Sequence, residues 1–240
     1  MSLQSVLAAI YPPACVHCGT ATEADFALCG PCWRDAWFIG GTACTACGAP
    51  LQGEPEEGGA ACDDCLATAR PWSRGVAVME YRDAGRALIL RLKHGDGVEL
   101  ARTLGAWMAR AAAAVLPDEA LIVPVPLHWT RLWRRRYNQA ALLARRIGAE
   151  TGREVAVDAL VRSRRTLALD GHSREARFRA LDGAIAPHPR RGMALRGRPV
   201  LLVDDVMTSG ATLAAATDAA LAAGAAAVNV LVLARATRGP

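Results

Sequence analysis

Arg198-Pro199-Val200-Leu201-Leu202-Val203-Asp204-Asp205-Val206-Met207-Thr208-Ser209-Gly210-Ala211-Thr212-Leu213 is the stretch that decides the fold of this 240-residue chain. Its apolar run, Val200 to Val203, suits a strand buried on both faces of a parallel sheet. Asp204 and Asp205 stand where that strand would end, and an alanine-rich helix begins a few residues later. Backbone N–H groups at such a turn, together with the positive end of the helix dipole, can hold a phosphate. Thr208, Ser209 and Thr212 add hydroxyl donors, while Gly210, beside Ala211, lets the backbone approach closely. The two carboxylates then face sugar hydroxyls, or share a magnesium ion with a diphosphate.

Two other folds also place acids after an apolar strand. A receiver domain needs a lysine further along the chain, and none follows Asp205. A Walker B strand needs a G-x-x-x-x-G-K-[ST] loop, which is absent. The order of four apolar residues, two acids, then Thr-small-Gly-x-Thr resembles the 5-phosphoribosyl-1-pyrophosphate (PRPP) motif of type I phosphoribosyltransferases. The plain alternative is a buried strand followed by a helix capped by Thr or Ser.

The chain is long enough for one full domain and a small one. Half of its residues are apolar and a fifth are charged, a composition that excludes extended disorder. No apolar run reaches the length of a membrane span. Met1 to Cys15 lack a basic n-region, and Leu3, Val6, Leu7 and Ile10 fall at helical spacing. They read as a short amphipathic helix in a cytoplasmic protein. The net charge of +5 conceals a division: residues 1–71 hold two arginines against eight acids, and residues 72–240 carry +11. An acidic head therefore precedes a basic body suited to phosphate-rich ligands, with arginine-rich genomic composition as the other explanation.

All eight cysteines lie in the head, as four C-x-x-C pairs: Cys15/Cys18, Cys29/Cys32, Cys44/Cys47 and Cys62/Cys65. Without a secretory signal such pairs indicate metal rather than disulfides, and two pairs complete a tetrahedral zinc site. The first and third pairs are knuckles closed by Gly19 and Gly48, whereas the second and fourth lead into helix-compatible runs. That repetition favours two sequential sites, Cys15, Cys18, Cys29, Cys32 and then Cys44, Cys47, Cys62, Cys65. A cross-braced arrangement and reactive dithiols stay as alternatives. Four thiolates leave no open coordination position, so both zinc ions are expected to be structural. Gln52 to Gly59 reads as an acidic, solvated excursion.

In the body, Arg74 to Tyr81 reads as a strand and Ala84 to Leu92 as a helix. Lys93, the sole lysine among 28 basic residues, is either a phosphate ligand or an ordinary surface charge. Leu100, Leu104, Trp107, Met108, Ala111 and Val115 recur at helical spacing as a core face. Leu121 to Leu127 is a strand stopped by prolines, and Pro124, Val125 and Pro126 form a loop at its carboxyl end, where open α/β sheets bind ligands. Trp129 to Asn138 interleaves Trp129, Trp133 and Tyr137 with four arginines, Arg135 among them. It reads either as a grip on phosphates and bases or as a helix with Trp in the core. Gln139 to Ala149 is helical and Glu154 to Asp158 a short strand. Arg162 to Arg179, six arginines with few large apolar residues, suits a flap closing over a diphosphate, with Arg174 and Arg177 as its leading candidates. A last strand covers Ala227 to Leu233, and alternation of strand and helix implies a parallel sheet.

Taken with the cysteine pairs, Leu92-Lys93-His94-Gly95, Val123-Pro124-Val125-Pro126-Leu127, Arg135-Arg136-Tyr137-Asn138-Gln139, Ser173-Arg174-Glu175-Ala176-Arg177 and Val203 to Thr212, the chain resembles the ComF family. The resemblance implies an α/β fold: a type I phosphoribosyltransferase domain with a Rossmann-like parallel sheet, preceded by a double zinc-ribbon head. It also implies natural competence, handling of single-stranded DNA, and binding of PRPP with Mg²⁺. The chain departs from the family pattern at Arg136, where glycine is usual, and in the flap at Leu169 and Ala180. On this resemblance Asp204 and Asp205 hold the ribose hydroxyls, Thr208 to Thr212 anchor the 5′-phosphate, and Pro124 to Pro126 cradle the pyrophosphate. Lys93, Arg135 and Asn138 assist, and Arg174 and Arg177 stabilise the leaving diphosphate. A non-catalytic platform for single-stranded DNA and competence partners is the second expectation.

Overall fold

The computed structural model describes residues 12–54, 59–94, 97–164, 174–181 and 183–237. Residues 12–15 are not helical, and Ala14 bridges to Ala21; the rest of the expected amphipathic helix lies outside the described residues. In the head, two short helices, α1 (Gly30–Asp35) and α2 (Asp63–Ala67), begin within the second and fourth cysteine pairs, with Cys29 and Cys62 as their N-cap residues and Cys32 and Cys65 in their first turns. The body opens with β1 (Gly75–Glu80), α3 (Asp83–His94), α4 (Gly97–Ala112) and β2 (Leu121–Pro124). It continues through α5 (Trp129–Arg135), α6 (Gln139–Thr151), β3 (Leu160–Arg162), α7 (Arg174–Leu181) and β4 (Ile185–Pro187). After a 3₁₀ turn come β5 (Pro199–Met207), α8 (Ala211–Ala222) and β6 (Ala227–Arg235).

β1, β6, β5 and β2 form one sheet in that order, and every pairing is parallel. The long apolar strands β5 and β6 take the centre, where both faces are covered. Alternation along β5 sends Val200 and Leu202 to one face and Leu201 and Val203 to the other. Leu88, Leu104, Met108, Leu143 and Ile147 of α3, α4 and α6 pack on the second face. On the first lie Leu213, Ala216 and Ala220 of α8, together with Cys44, Cys47, Ala49 and Trp72 from the head. The second half of the head is thus part of the body's core. Its knuckle is pressed on β1: a Cβ at Gly48 would come within 2.3 Å of the Ala77 nitrogen.

Two expectations are corrected. Glu154 to Asp158 is not a strand; Val155 makes one isolated parallel bridge to Ile122, and the chain pairs only further on, as the antiparallel β3–β4 hairpin. The segment follows the αL cap at Gly152 and meets β2 through two backbone bonds, Ile122 N–H to the Glu154 carbonyl at 2.9 Å and Ala156 N–H to the Ile122 carbonyl at 3.0 Å, before the chain turns toward that hairpin. Nor is there a helix at Trp129 with its tryptophans in the core, since Trp129 is 69% and Trp133 87% exposed. Arg162 to Arg179 joins β3 to β4 through α7, but residues 165–173 fall outside the described ones, as do the side chains of Arg174 and Arg177.

α5 ends at Arg136 in a left-handed conformation, φ 67°, with its N–H bonded to the Leu132 carbonyl. An L-residue there costs roughly 1–2 kcal/mol relative to glycine. Arg136→Gly is therefore expected to raise unfolding stability by about 1 kcal/mol in urea titration, and a lower midpoint would contradict this account.

Candidate phosphoribosyl-binding site

At the carboxyl edge of the sheet, β5 places its two acids on opposite faces, because successive strand side chains alternate. Asp205 is 5% exposed and points among the helices of the second face. It accepts a hydrogen bond from Gln139 Nε2 at 2.9 Å and faces Lys93 Nζ at 3.3 Å. The sole lysine is thus a partner of the second acid. Gln139, buried at the start of α6, belongs to the Arg135–Gln139 motif but carried no assigned role in the sequence; only the fold brings it to Asp205.

Asp204 turns the other way and keeps partial solvent contact. Its Oδ1 accepts from the Asp205 N–H at 2.8 Å. Dense packing around the carboxyl and the Asp205 charge beside it push it up to about 7, against smaller opposing effects from the Asp205 amide, Lys93 and Arg162. Arg162, at the end of β3, is held below the usual arginine range by burial and by Arg131, partly offset by Asp204. Arg135 is likewise lowered by burial, and the Asp205 charge opposes that shift.

The turn after β5 has Gly210 at φ 84°, a conformation that glycine adopts without strain. α8 starts directly after it; Gly210 offers no side-chain cap, Ser209 Oγ accepts from the Ala211 N–H at 3.4 Å, and the first turn forms the positive end of a twelve-residue dipole. Around it, Thr208 is exposed, Ser209 and Thr212 are half-buried, and Ala211 is buried. On the neighbouring strand Pro124 closes β2, and the Val125 N–H donates to the Val203 carbonyl at 2.9 Å. Asn138 ties that loop down. It caps α6 by accepting from the Ala140 N–H and donates through Nδ2 to the Val125 carbonyl at 3.0 Å. Buried Pro126 opens a groove shared with Trp129, Asn138 and Arg162. The fold therefore gathers Lys93, Pro124 to Pro126, Arg135, Asn138, Asp204, Asp205 and the 208–212 turn at one sheet edge. Arg174 and Arg177 fall on α7, whose own helix packs toward α8.

In the head the cysteines assemble as two sequential groups, Cys15, Cys18, Cys29, Cys32 and Cys44, Cys47, Cys62, Cys65, each with its sulfurs within 4.8 Å of one another. Cys18 and Cys29 Sγ are 3.6 Å apart, as are Cys47 and Cys62 Sγ. A tetrahedron with Zn–S near 2.3 Å needs sulfurs about 3.8 Å apart, so the donor sets fit zinc. The cross-braced arrangement is excluded by this grouping. Among the described residues no helix is long and apolar enough to cross a membrane.

The fold and this sheet edge define a phosphoribosyltransferase-type α/β domain with a zinc-ribbon head. A family model described as "Double zinc ribbon domain" matches residues 6–71, and one described as "Phosphoribosyl transferase domain" matches residues 107–240. The DNA utilization protein YhgH of Escherichia coli is 33% identical over 215 residues, spanning 87% of this chain and 90% of its own. Competence protein F of Haemophilus influenzae is 30% identical over 207 residues, 83% of this chain and 86% of its own. A hypoxanthine-guanine phosphoribosyl transferase from L. donovani aligns over 56% of this chain and 71% of its own, at 20% identity and a TM-score of 0.35, too loose a likeness to build on. The chain belongs to the ComF family, as a competence-linked protein of phosphoribosyltransferase type.

Proposed function

We propose that the chain binds PRPP with Mg²⁺ at the carboxyl edge of β5 and transfers its phosphoribosyl group. The observation that carries this reading is the glycine turn leading into the N-terminus of α8 directly behind the Asp204 carboxylate. The turn and first helical amides would hold the 5′-phosphate, and Thr208, Ser209 and Thr212 would add hydroxyl donors. Asp204, partly open to solvent, would accept the ribose hydroxyls, while Asp205 would keep Lys93 and Gln139 in place behind it. Pro124 to Pro126, with Arg135, would face the diphosphate. Bound Mg²⁺ would supply charge neutralisation for the diphosphate.

In the reaction the bond from the anomeric carbon to the pyrophosphate oxygen breaks, and its electron pair leaves with pyrophosphate. A lone pair on the acceptor forms the new bond to that carbon, and the acceptor's proton passes to solvent. Positive charge developing on the ribose is met by Asp204, and negative charge on the leaving group by Arg135 and by arginines of α7, Arg174 and Arg177.

One observation favours a second reading, a non-catalytic platform for single-stranded DNA. Trp129 and Trp133 stand exposed on α5 among Arg131, Arg134 and Arg136, an arrangement that stacks bases between phosphate contacts. Calorimetric titration of Mg²⁺-PRPP should show binding to the wild type and at least tenfold weaker binding to Asp204→Asn; equal affinities would remove the site. Pyrophosphate release on screening bases and amines would establish transfer. No release, combined with salt-dependent binding of oligonucleotides that Trp133→Ala weakens, would establish the platform instead.

A further inference from the structure

The second cysteine cluster is joined to the phosphate turn by two guanidinium groups. Arg70 donates through Nε to Cys65 Sγ at 3.3 Å and through Nη1 to the Ser209 carbonyl at 2.7 Å. Arg235, 2% exposed, donates through Nη1 to the carbonyls of Thr208 at 2.7 Å and Met207 at 3.2 Å. Its Nη2 lies 3.6 Å from Asp64 Oδ2, on the helix between Cys62 and Cys65.

A trans peptide sets its N–H opposite its C=O. Carbonyls of Met207, Thr208 and Ser209 drawn toward the arginines therefore turn the amides of Thr208, Ser209 and Gly210 away from the ribbon. Those are the amides a phosphate at this turn would need. Gly210 seats the turn on the same support, since a Cβ there would lie 2.8 Å from Arg70 Nη1 and 3.2 Å from the Trp72 ring. Trp72 in turn donates through Nε1 to the Ala46 carbonyl, inside the Cys44–Cys47 knuckle.

Resting on the phosphate reading above, we propose that Arg70 and Arg235 are positioning residues that make metal occupancy of the Cys44, Cys47, Cys62, Cys65 centre a condition for the 208–210 amides to receive a phosphate. A zinc ion held by four thiolates carries a formal double negative charge, which balances the two guanidinium groups. Without the metal nothing holds the four sulfurs together. Cys65 and Asp64, the ribbon-side partners of Arg70 and Arg235, then lose their fixed positions, and the turn loses its backing. The first centre meets a different element: Arg91 on α3 donates through Nη1 to the carbonyls of Val16 and His17.

The test compares the full-length wild type, Arg70→Met, Arg70→Lys and Cys18→Ser, all zinc-loaded. Zinc content, amide hydrogen exchange across residues 205–213 and calorimetric affinity for ribose 5-phosphate are measured in each. Both Arg70 variants should keep two zinc ions and a melting temperature close to the wild type. Their turn should nonetheless exchange about tenfold faster and bind ribose 5-phosphate about tenfold more weakly, since one ammonium cannot span both sulfur and carbonyl. Cys18→Ser should lose one zinc and change neither readout. Exchange at the turn equal to wild type in the Arg70 variants overturns the proposal, with Arg70→Lys deciding alone should Arg70→Met fail to fold. If the wild type itself binds no ribose 5-phosphate, the phosphate reading fails, and the exchange measurement still decides whether the arginines hold the turn.

Discussion

Cys47→Ser is expected to abolish the folded state, whereas Cys18→Ser leaves a protein that still melts cooperatively. Cys44 and Cys47 are 1% and 0% exposed and belong to the same core as Val200, Leu202 and Leu213. Binding of a structural zinc contributes about 10–16 kcal/mol, comparable to the entire stability of a typical domain at about 5–15 kcal/mol. Loss of a thiolate at the second centre therefore removes metal and core packing together. Cys18 is exposed, and its centre lies at the edge of the α3–α4 side, so its loss should free residues of the first ribbon only. Zinc content with thermal unfolding by circular dichroism checks this. A Cys47→Ser protein with two bound zinc ions and a wild-type transition would show that the second ribbon is not part of the body's core.

The two neighbouring acids should respond in opposite senses. Asp205→Ala leaves the Lys93 ammonium, whose side chain is 18% exposed, without its carboxylate and Gln139 without its acceptor. Breaking such a buried pair costs about 3–5 kcal/mol. Asp204→Asn should stabilise instead. Its folded carboxyl is raised to about 7 from a usual value of 3.8, so the protonated form is the one the fold favours. That stabilisation is complete below the unfolded pKa and is lost as pH rises through 7. Asparagine mimics the protonated form at every pH. The variant should match the wild type near pH 4 and exceed it at pH 8 by about 1–2 kcal/mol, after allowance for solvent contact. Urea midpoints at the two pH values measure both effects. A destabilised Asp204→Asn at pH 8 would mean that Asp204 holds the fold together rather than standing strained at a site. Retention of a costly carboxylate at a strand end is what a ligand-binding role predicts.

Much of this was legible from residues alone because it is local. The apolar run of β5, the acids at its end and the glycine before α8 are read from spacing of a few positions, and each depends on backbone rules that act at that range. Knuckle and helix-start repetition in the cysteine pairs foretold their sequential grouping, since two thiolates three residues apart share a turn. What stayed out of reach is contact between distant segments. Lys93 and Gln139 meet Asp205 across 112 and 66 positions of sequence only because α3 and α6 lie on one face of the sheet. Exposure of Trp129 and Trp133 likewise depended on where α5 sits, for nothing in an amphipathic spacing says which side of a helix the rest of the fold covers. The tie from Cys65 through Arg70 to Ser209 spans 139 residues between arginine and carbonyl. By itself the sequence determined the fold class, the metal ligands and the glycine turn between β5 and α8, since short-range sterics and donor spacing specify them. Tertiary structure alone decided the partners of the buried charges and the union of ribbon with sheet, because burial and countercharge are properties of the packed whole.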